Sequence, residues 1–212
     1  MSQAVFVFYS TESRRSEEFV RQTLAVCESV DGFKFGSPGE TVDPADISLD
    51  QNSTVELSWQ GGAGDVSITF TYKPRPESFL EVFTRREMLL PEGGEGEYEG
   101  LTGAVMELVR ALAIEHNPYY VMSPDLEKIM GTDPADVTPM KGEFELERIP
   151  WFGVYSSSLI EDLGGREHVL ETPAWRVEEL DTGSILIIRT RTPWADLGRD
   201  HPVNRHLLGA VS

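Results

Sequence analysis

Four histidines, His116, His168, His201 and His206, are the residues of this sequence best suited to proton transfer near neutral pH. A run of three serines, Ser156 to Ser158, follows the apolar stretch "WFGVY" at a predicted strand end, where nucleophiles often sit. Nucleophilic catalysis needs a base within reach of the hydroxyl, and that base is usually histidine. None of the four histidines lies in a recognisable motif, and the serines lack the Gly-x-Ser-x-Gly elbow that exposes a nucleophile on a strained turn. Ser158 and Glu161 have the Ser-x-x-Glu spacing of a capping box, in which each side chain bonds a backbone amide at a helix start. Such a cap contributes ~1 kcal/mol. The serine corner therefore reads as a capped strand-to-helix junction, and no catalytic residue is assigned.

Metal binding meets a similar obstacle. The segment "DLGRDHPVNRH" gathers Asp196, Asp200, His201 and His206, but a His-x-x-x-x-His spacing does not put both rings on one helical face, and Pro202 interrupts a helix that would carry them. No metal site is assigned. The single cysteine, Cys27, excludes an internal disulfide and a thiolate cluster within one chain. It shares a helical face with Phe19 and Val20, which makes it a small buried hydrophobe. Carboxylates are so abundant that an acid and base pair for glycoside-type hydrolysis is not distinguishable. The "GGAG" run joins two strands instead of opening a helix, so it is no dinucleotide fingerprint. The loop "PEGGEGEYEG" (91–100) carries four glutamates and lacks the lysine and hydroxyl of a phosphate loop. No cofactor is expected.

The charge balance points to partners instead. The chain has 36 acidic residues against 18 basic, a formal net charge of −18. A phosphate backbone would be repelled, which argues against nucleic acid. Either the acidity is an adaptation to salt, or it complements a basic protein surface, speeding encounter and selecting the partner. No apolar window approaches the ~20 residues of a membrane span. The first apolar run, "AVFVFY", is short and lacks a basic flank, so a leader peptide is not expected and the chain reads as soluble and cytoplasmic.

The elements that must position these groups follow from periodicity. "AVFVFYS" is a buried strand. Phe19, Val20, Thr23, Leu24 and Cys27 recur at helical spacing and predict a helix from Ser13 or Ser16 to Glu28. The stretch 31–53 is rich in turn formers and reads as a connection. "TVELSWQ" and "DVSITFTYK", separated by glycines, predict a hairpin, and Ser78 to Leu89 a further strand. A helix carries Leu101, Val105, Leu108, Val109 and Leu112 on its inner stripe and ends near His116. "PYYVMS" reads as a strand, and "SPDLEKIMG" as a short helix with Ser123 as N-cap. "WFGVY" is apolar on both alternating faces and predicts a strand covered on both sides. "AWRVEELDTGSILIIRT" predicts a second hairpin, turning at Asp181 to Ser184. The fold class is α+β: a largely antiparallel sheet with helices packed on it, in a single domain spanning 1–212. A repeated strand-helix-strand-strand order divides it into halves of about 1–90 and 118–212, joined by the Gly/Glu-rich loop and helix at 91–117.

From Trp151 onward the landmarks are a Trp-led strand, a helix closing on Leu163-Gly164-Gly165, an apolar strand "ILIIRT", then "TPWADLGRD" and a final "NRHLLGAV". This order resembles the C-terminal part of the type VI secretion and polymorphic-toxin immunity-protein family. The resemblance covers the last third of the chain. It implies a non-catalytic α+β protein that neutralises a toxin by binding it, with no catalytic residue to carry over. An acidic protein of that kind would offer carboxylates to a basic cleft. Glu95, Glu97 and Glu99 would supply charge to such a docking element and Tyr98 a rigid aromatic anchor. Two other readings stay open: a hydrolase or transferase whose carboxylate site is hidden among the many acidic residues, and a salt-adapted domain without identifiable activity.

Salt adaptation makes its own prediction. The thermal unfolding midpoint is expected to rise steeply from dilute buffer to molar potassium chloride as repulsion among carboxylates is screened. A flat response, measured by circular dichroism, returns the acidity to partner binding.

Overall fold

The computed structural model describes residues 3–12, 14, 16–35, 42–62, 64–71, 78–89, 98–124, 140–141, 145–146, 148–195, 198 and 200–209. The chain forms two compact units, Met1–Pro118 and Tyr119–Ser212. Each is α+β, with antiparallel strand pairing and helices against the sheet, as the sequence predicts.

In the first unit, β1 (Gln3–Tyr9) is followed by α1 (Glu17–Ser29), then β2 (Phe33–Phe35), β3 (Ser53–Trp59), β4 (Asp65–Phe70), β5 (Ser78–Arg85) and α2 (Gly100–His116). Strands run in the order β1-β5-β4-β3-β2, each antiparallel to its neighbour. Ala4 to Phe8 are all buried, as a strand covered on both faces requires. Ser16 caps α1 by accepting a hydrogen bond from the Phe19 amide at 3.1 Å. The buried stripe of α1 is Phe19, Val20, Thr23, Leu24 and Cys27. Phe19 meets Phe70 of β4 and Phe79 of β5 edge-on, with centroids 5.8 and 5.5 Å apart.

Two expectations are corrected here. The turn-rich connection contains β2, three residues whose register against Leu57 to Trp59 is set by a distant strand and not by local propensity. The strand expected to reach Leu89 ends at Arg85, and Arg86–Leu89 tighten into a 3-10 turn that buries Leu89.

In the second unit β6 (Tyr120–Ser123) precedes a two-stranded ribbon, β7 (Met140–Lys141) with β8 (Glu145–Leu146). Then come β9 (Phe152–Tyr155), α3 (Ser157–Asp162), α4 (Arg166–Leu170), β10 (Arg176–Glu179), β11 (Ile185–Ile188) and α5 (Pro202–Leu208). The strand order is β10-β11-β9-β6. In both units the strand before the first following helix pairs with the last strand of the next antiparallel run, β1 with β5 and β9 with β11. The helix expected at 123–131 lies outside the described residues beyond Pro124, and Ser123 itself belongs to β6. Tyr120 and Tyr155 stand opposite each other across β6 and β9, rings 5.3 Å apart. Gly153 makes room for this pair, since a Cβ there would come within 2.6 Å of the Tyr155 hydroxyl.

The capping box is also corrected. α3 begins at Ser157 with Ser156 as N-cap, so Ser158 lies inside the first turn. Its hydroxyl pairs with that of Ser156 at 3.1 Å, and Ser156 makes no side-chain cap bond. The helix starts two residues earlier than the motif implies, directly after Tyr155, the last strand residue, which pairs with Ile185 and Tyr120.

A buried polar ring closes the second unit. Arg189, 2 % exposed, donates through Nη1 to the Ile149 carbonyl and through Nη2 to the Gly198 carbonyl, both at 2.8 Å. Asn204 of α5 accepts from the Ile149 amide at 2.9 Å and donates to the same Gly198 carbonyl at 3.0 Å. Trp151 adds a bond from its indole to the Thr190 carbonyl at 2.8 Å and packs on Trp194, 4.8 Å away. Replacing Asn204 by Ala strands a buried amide and weakens the hold on a carbonyl. Asn204→Ala is expected to cost about 2–4 kcal/mol, read as a lower urea midpoint with near-native circular dichroism before unfolding.

Candidate functional site

A cleft of about 550 Å3 opens in the first unit between the end of α1, the end of β3 and the first three turns of α2. Its walls include Asp31, Trp59, Tyr98 and Glu107, over a floor of Gly100, Gly103, Ala104 and Ala111. Strand periodicity explains the tryptophan. Val55 and Leu57 are buried on one face of β3, and Trp59 is the next residue on that face, where the core has run out. Its indole stays half-buried, packing on Phe33 with centroids 5.7 Å apart. Gly32 and Gly61 fix it there, for a Cβ on either would fall 2.2 Å from a ring carbon. Gly103 does the same at the floor, where a Cβ would lie 2.6 Å from the Tyr98 carbonyl oxygen.

Of the residues assigned to docking from sequence, Tyr98 lines this cleft and Glu99 is the exposed N-cap residue of α2, without a side-chain cap bond. Glu95 and Glu97 lie outside the described residues. The sequence reading missed Asp31, Trp59 and Glu107. The available signal was Trp59 itself, followed at once by two glycines at the end of an alternating strand.

The groups with catalytic chemistry are placed otherwise. Cys27 is buried, and desolvation pushes its thiol up to about 12, so it is protonated and inert at neutral pH. His116, 2 % exposed, lies 4.8 Å from the Phe19 ring. The Thr23 hydroxyl donates to the Phe19 carbonyl at 2.9 Å, so the 2.9 Å contact with His116 runs from the ring Nε2–H to the hydroxyl oxygen. Burial, with the Arg14 charge second, lowers His116 to about 4. His201 spends Nδ1 as the cap of α5, accepting the Val203 amide at 3.3 Å. Pro202, expected to interrupt a helix, is its first residue, where a missing N–H costs nothing. His168 and His206 stack at 4.1 Å, and each donates Nε2–H to the other's backbone carbonyl, at 2.9 and 2.8 Å. Asp196 lies outside the described residues. Among the described residues no group of three or more His, Cys, Asp or Glu is placed to hold a metal ion, and no helix is long and apolar enough to cross a membrane.

The buried His116 links stability to pH. As pH falls below the ordinary imidazole value of 6.5, the unfolded chain takes up a proton that the folded ring resists down to about 4. The contribution of this ring is therefore complete above about pH 7 and is expected to be lost between 6.5 and 4, by up to about 3 kcal/mol. His116→Leu leaves the Thr23 hydroxyl bonded to Phe19 and should remove that dependence, measured by urea unfolding across the same pH range.

No protein-family model matches the chain, and no curated protein matches it. Its fold is similar to a solved structure, the Pseudomonas aeruginosa T6SS protein PA0821, with a TM-score of 0.50 at 14 % sequence identity, covering 98 % of this chain and 72 % of that one. At that identity the likeness is one of fold.

Proposed function

We propose that this chain is a non-catalytic binding protein of the immunity type, which neutralises a toxin by covering its basic surface. The observation that carries this reading is the employment of the reactive side chains. Cys27 and His116 are sealed in the core in their neutral forms, while His168, His201 and His206 spend ring nitrogens on the backbone. What the first unit offers to solvent is a cleft with aromatic walls and carboxylates at its rim, a composition suited to protein contact. The fold likeness to a T6SS protein and the landmarks from Trp151 onward support the immunity-type reading. A net charge of −18 supports a basic partner.

An immunity protein is encoded beside its toxin, so co-expression with neighbouring gene products is the direct test. The chain is expected to restore growth to cells making the cognate toxin and to copurify with it. The complex should form more slowly as salt rises, since opposite charges steer the encounter. Absence of both protection and complex with every neighbouring product would overturn the proposal.

A further inference from the structure

We propose that the cleft between α1, Trp59 and α2 is a socket for one arginine side chain of the partner protein. This rests on the binding-protein reading and assigns it a place on the surface. Three observations converge there. The first is the indole of Trp59, half-buried, lying against the backbone of Gly32 and Gly61 where any Cβ would collide with it, and lining an open cavity. A cation over such a face is attracted by the ring quadrupole, and tryptophan is the best of the aromatic platforms. Tyr98 adds a second aromatic group to the lining.

The second observation is the charge of the lining. Asp31 and Glu107 are both exposed at the cleft, and among the described residues Asp31 has no ion-pair partner. Glu107 is held by Arg110 at 3.4 Å, one turn along α2, with 57 % of its side chain exposed. An exposed pair of this kind contributes little and is readily exchanged for a better-placed cation. The third observation is the space itself. Small residues on the facing turns of α2 leave an open cleft of about 550 Å3, room enough to admit a side chain.

Arginine fits this lining better than lysine. A planar guanidinium stacks on an indole while its N–H fork reaches carboxylates to the side, and it gives up water more easily than an ammonium group. Lysine would bring only a strongly hydrated point charge.

The test uses the chain alone and then the complex. The indole NH resonance of Trp59, assigned by its loss in Trp59→Phe, is followed during titration with a blocked Gly-Arg-Gly tripeptide, its citrulline counterpart and its lysine counterpart. A saturable shift is expected with the arginine peptide, and binding about tenfold weaker with citrulline, with lysine, and with arginine in the double variant Asp31→Asn/Glu107→Gln. Both substituted positions are exposed, so the variant should keep the parent unfolding midpoint, and Ala104→Phe supplies an independent block of the cleft. No saturable shift of Trp59, or equal binding of the citrulline or lysine peptide, would overturn the socket. In the co-expression assay the double variant should protect less well than the parent. Full protection by both cleft variants would remove the cleft from docking while leaving the immunity reading in place. If the parent chain protects against nothing, that reading fails, and the peptide titration alone decides the socket.

Discussion

The buried guanidinium of Arg189 is the constraint around which the second unit is built. Arginine does not shed its proton in a protein, so the charge is carried into the core and must be met by oxygen atoms there. Ile149 and Gly198 meet it with backbone carbonyls. Carbonyls serve only if the segments bearing them are fixed, and Asn204 fixes both, bonding the Ile149 amide and the Gly198 carbonyl at once. The entry to β9, the end of β11 and the start of α5 thus become one object. The left-handed backbone of Trp194, at φ 55°, is tolerated because its ring is held on Trp151 and its indole donates to the Pro124 carbonyl.

No local pattern announces such a network, whereas burial repeated along an element is legible in the sequence. Periodicity located α1, α2 and the strand cores because burial is repeated along each element: the inner face of α1 is the set of residues spaced for it. Motifs at element ends fared worse. The Ser158–Glu161 spacing is met inside α3, which begins directly after the last strand residue, Tyr155, and not at the motif's serine. Pro202 reads as an interruption in isolation, yet with His201 capping the turn it occupies the first helical position, where proline fits. β2 was invisible since three residues among turn formers become a strand only when β3 lies beside them.

The cleft was illegible for a related reason. Its lining comes from segments far apart in sequence, around positions 30, 59, 98–104 and 107–111. With 36 acidic residues, nothing in composition distinguishes Asp31 or Glu107 from the rest. Position does: each stands beside an aromatic wall that glycines keep in place. Tyr98 stands out in the sequence as an aromatic in an acidic loop, and it lines the cleft beside residues that no local pattern connects to it.

Charge consequently acts at two levels in this molecule. At the surface, carboxylates are numerous, solvated and screened within about 10 Å at ordinary ionic strength, and their sum acts both as repulsion within the chain and as the field that a partner meets. In the core, single groups decide. His116 lies within a strongly negative chain, whose field favours a protonated ring, yet burial and the nearby Arg14 keep it neutral. Desolvation acts at contact distance and is not screened, whereas attraction from a solvated surface is spread and damped. The same inequality separates Arg189, which needs carbonyls at 2.8 Å, from the exposed Glu107–Arg110 pair, which can be exchanged at little cost. Beneath the acidic exterior the buried apolar core and these short polar contacts act at contact distance, so each charge in the molecule is governed by how much water it keeps.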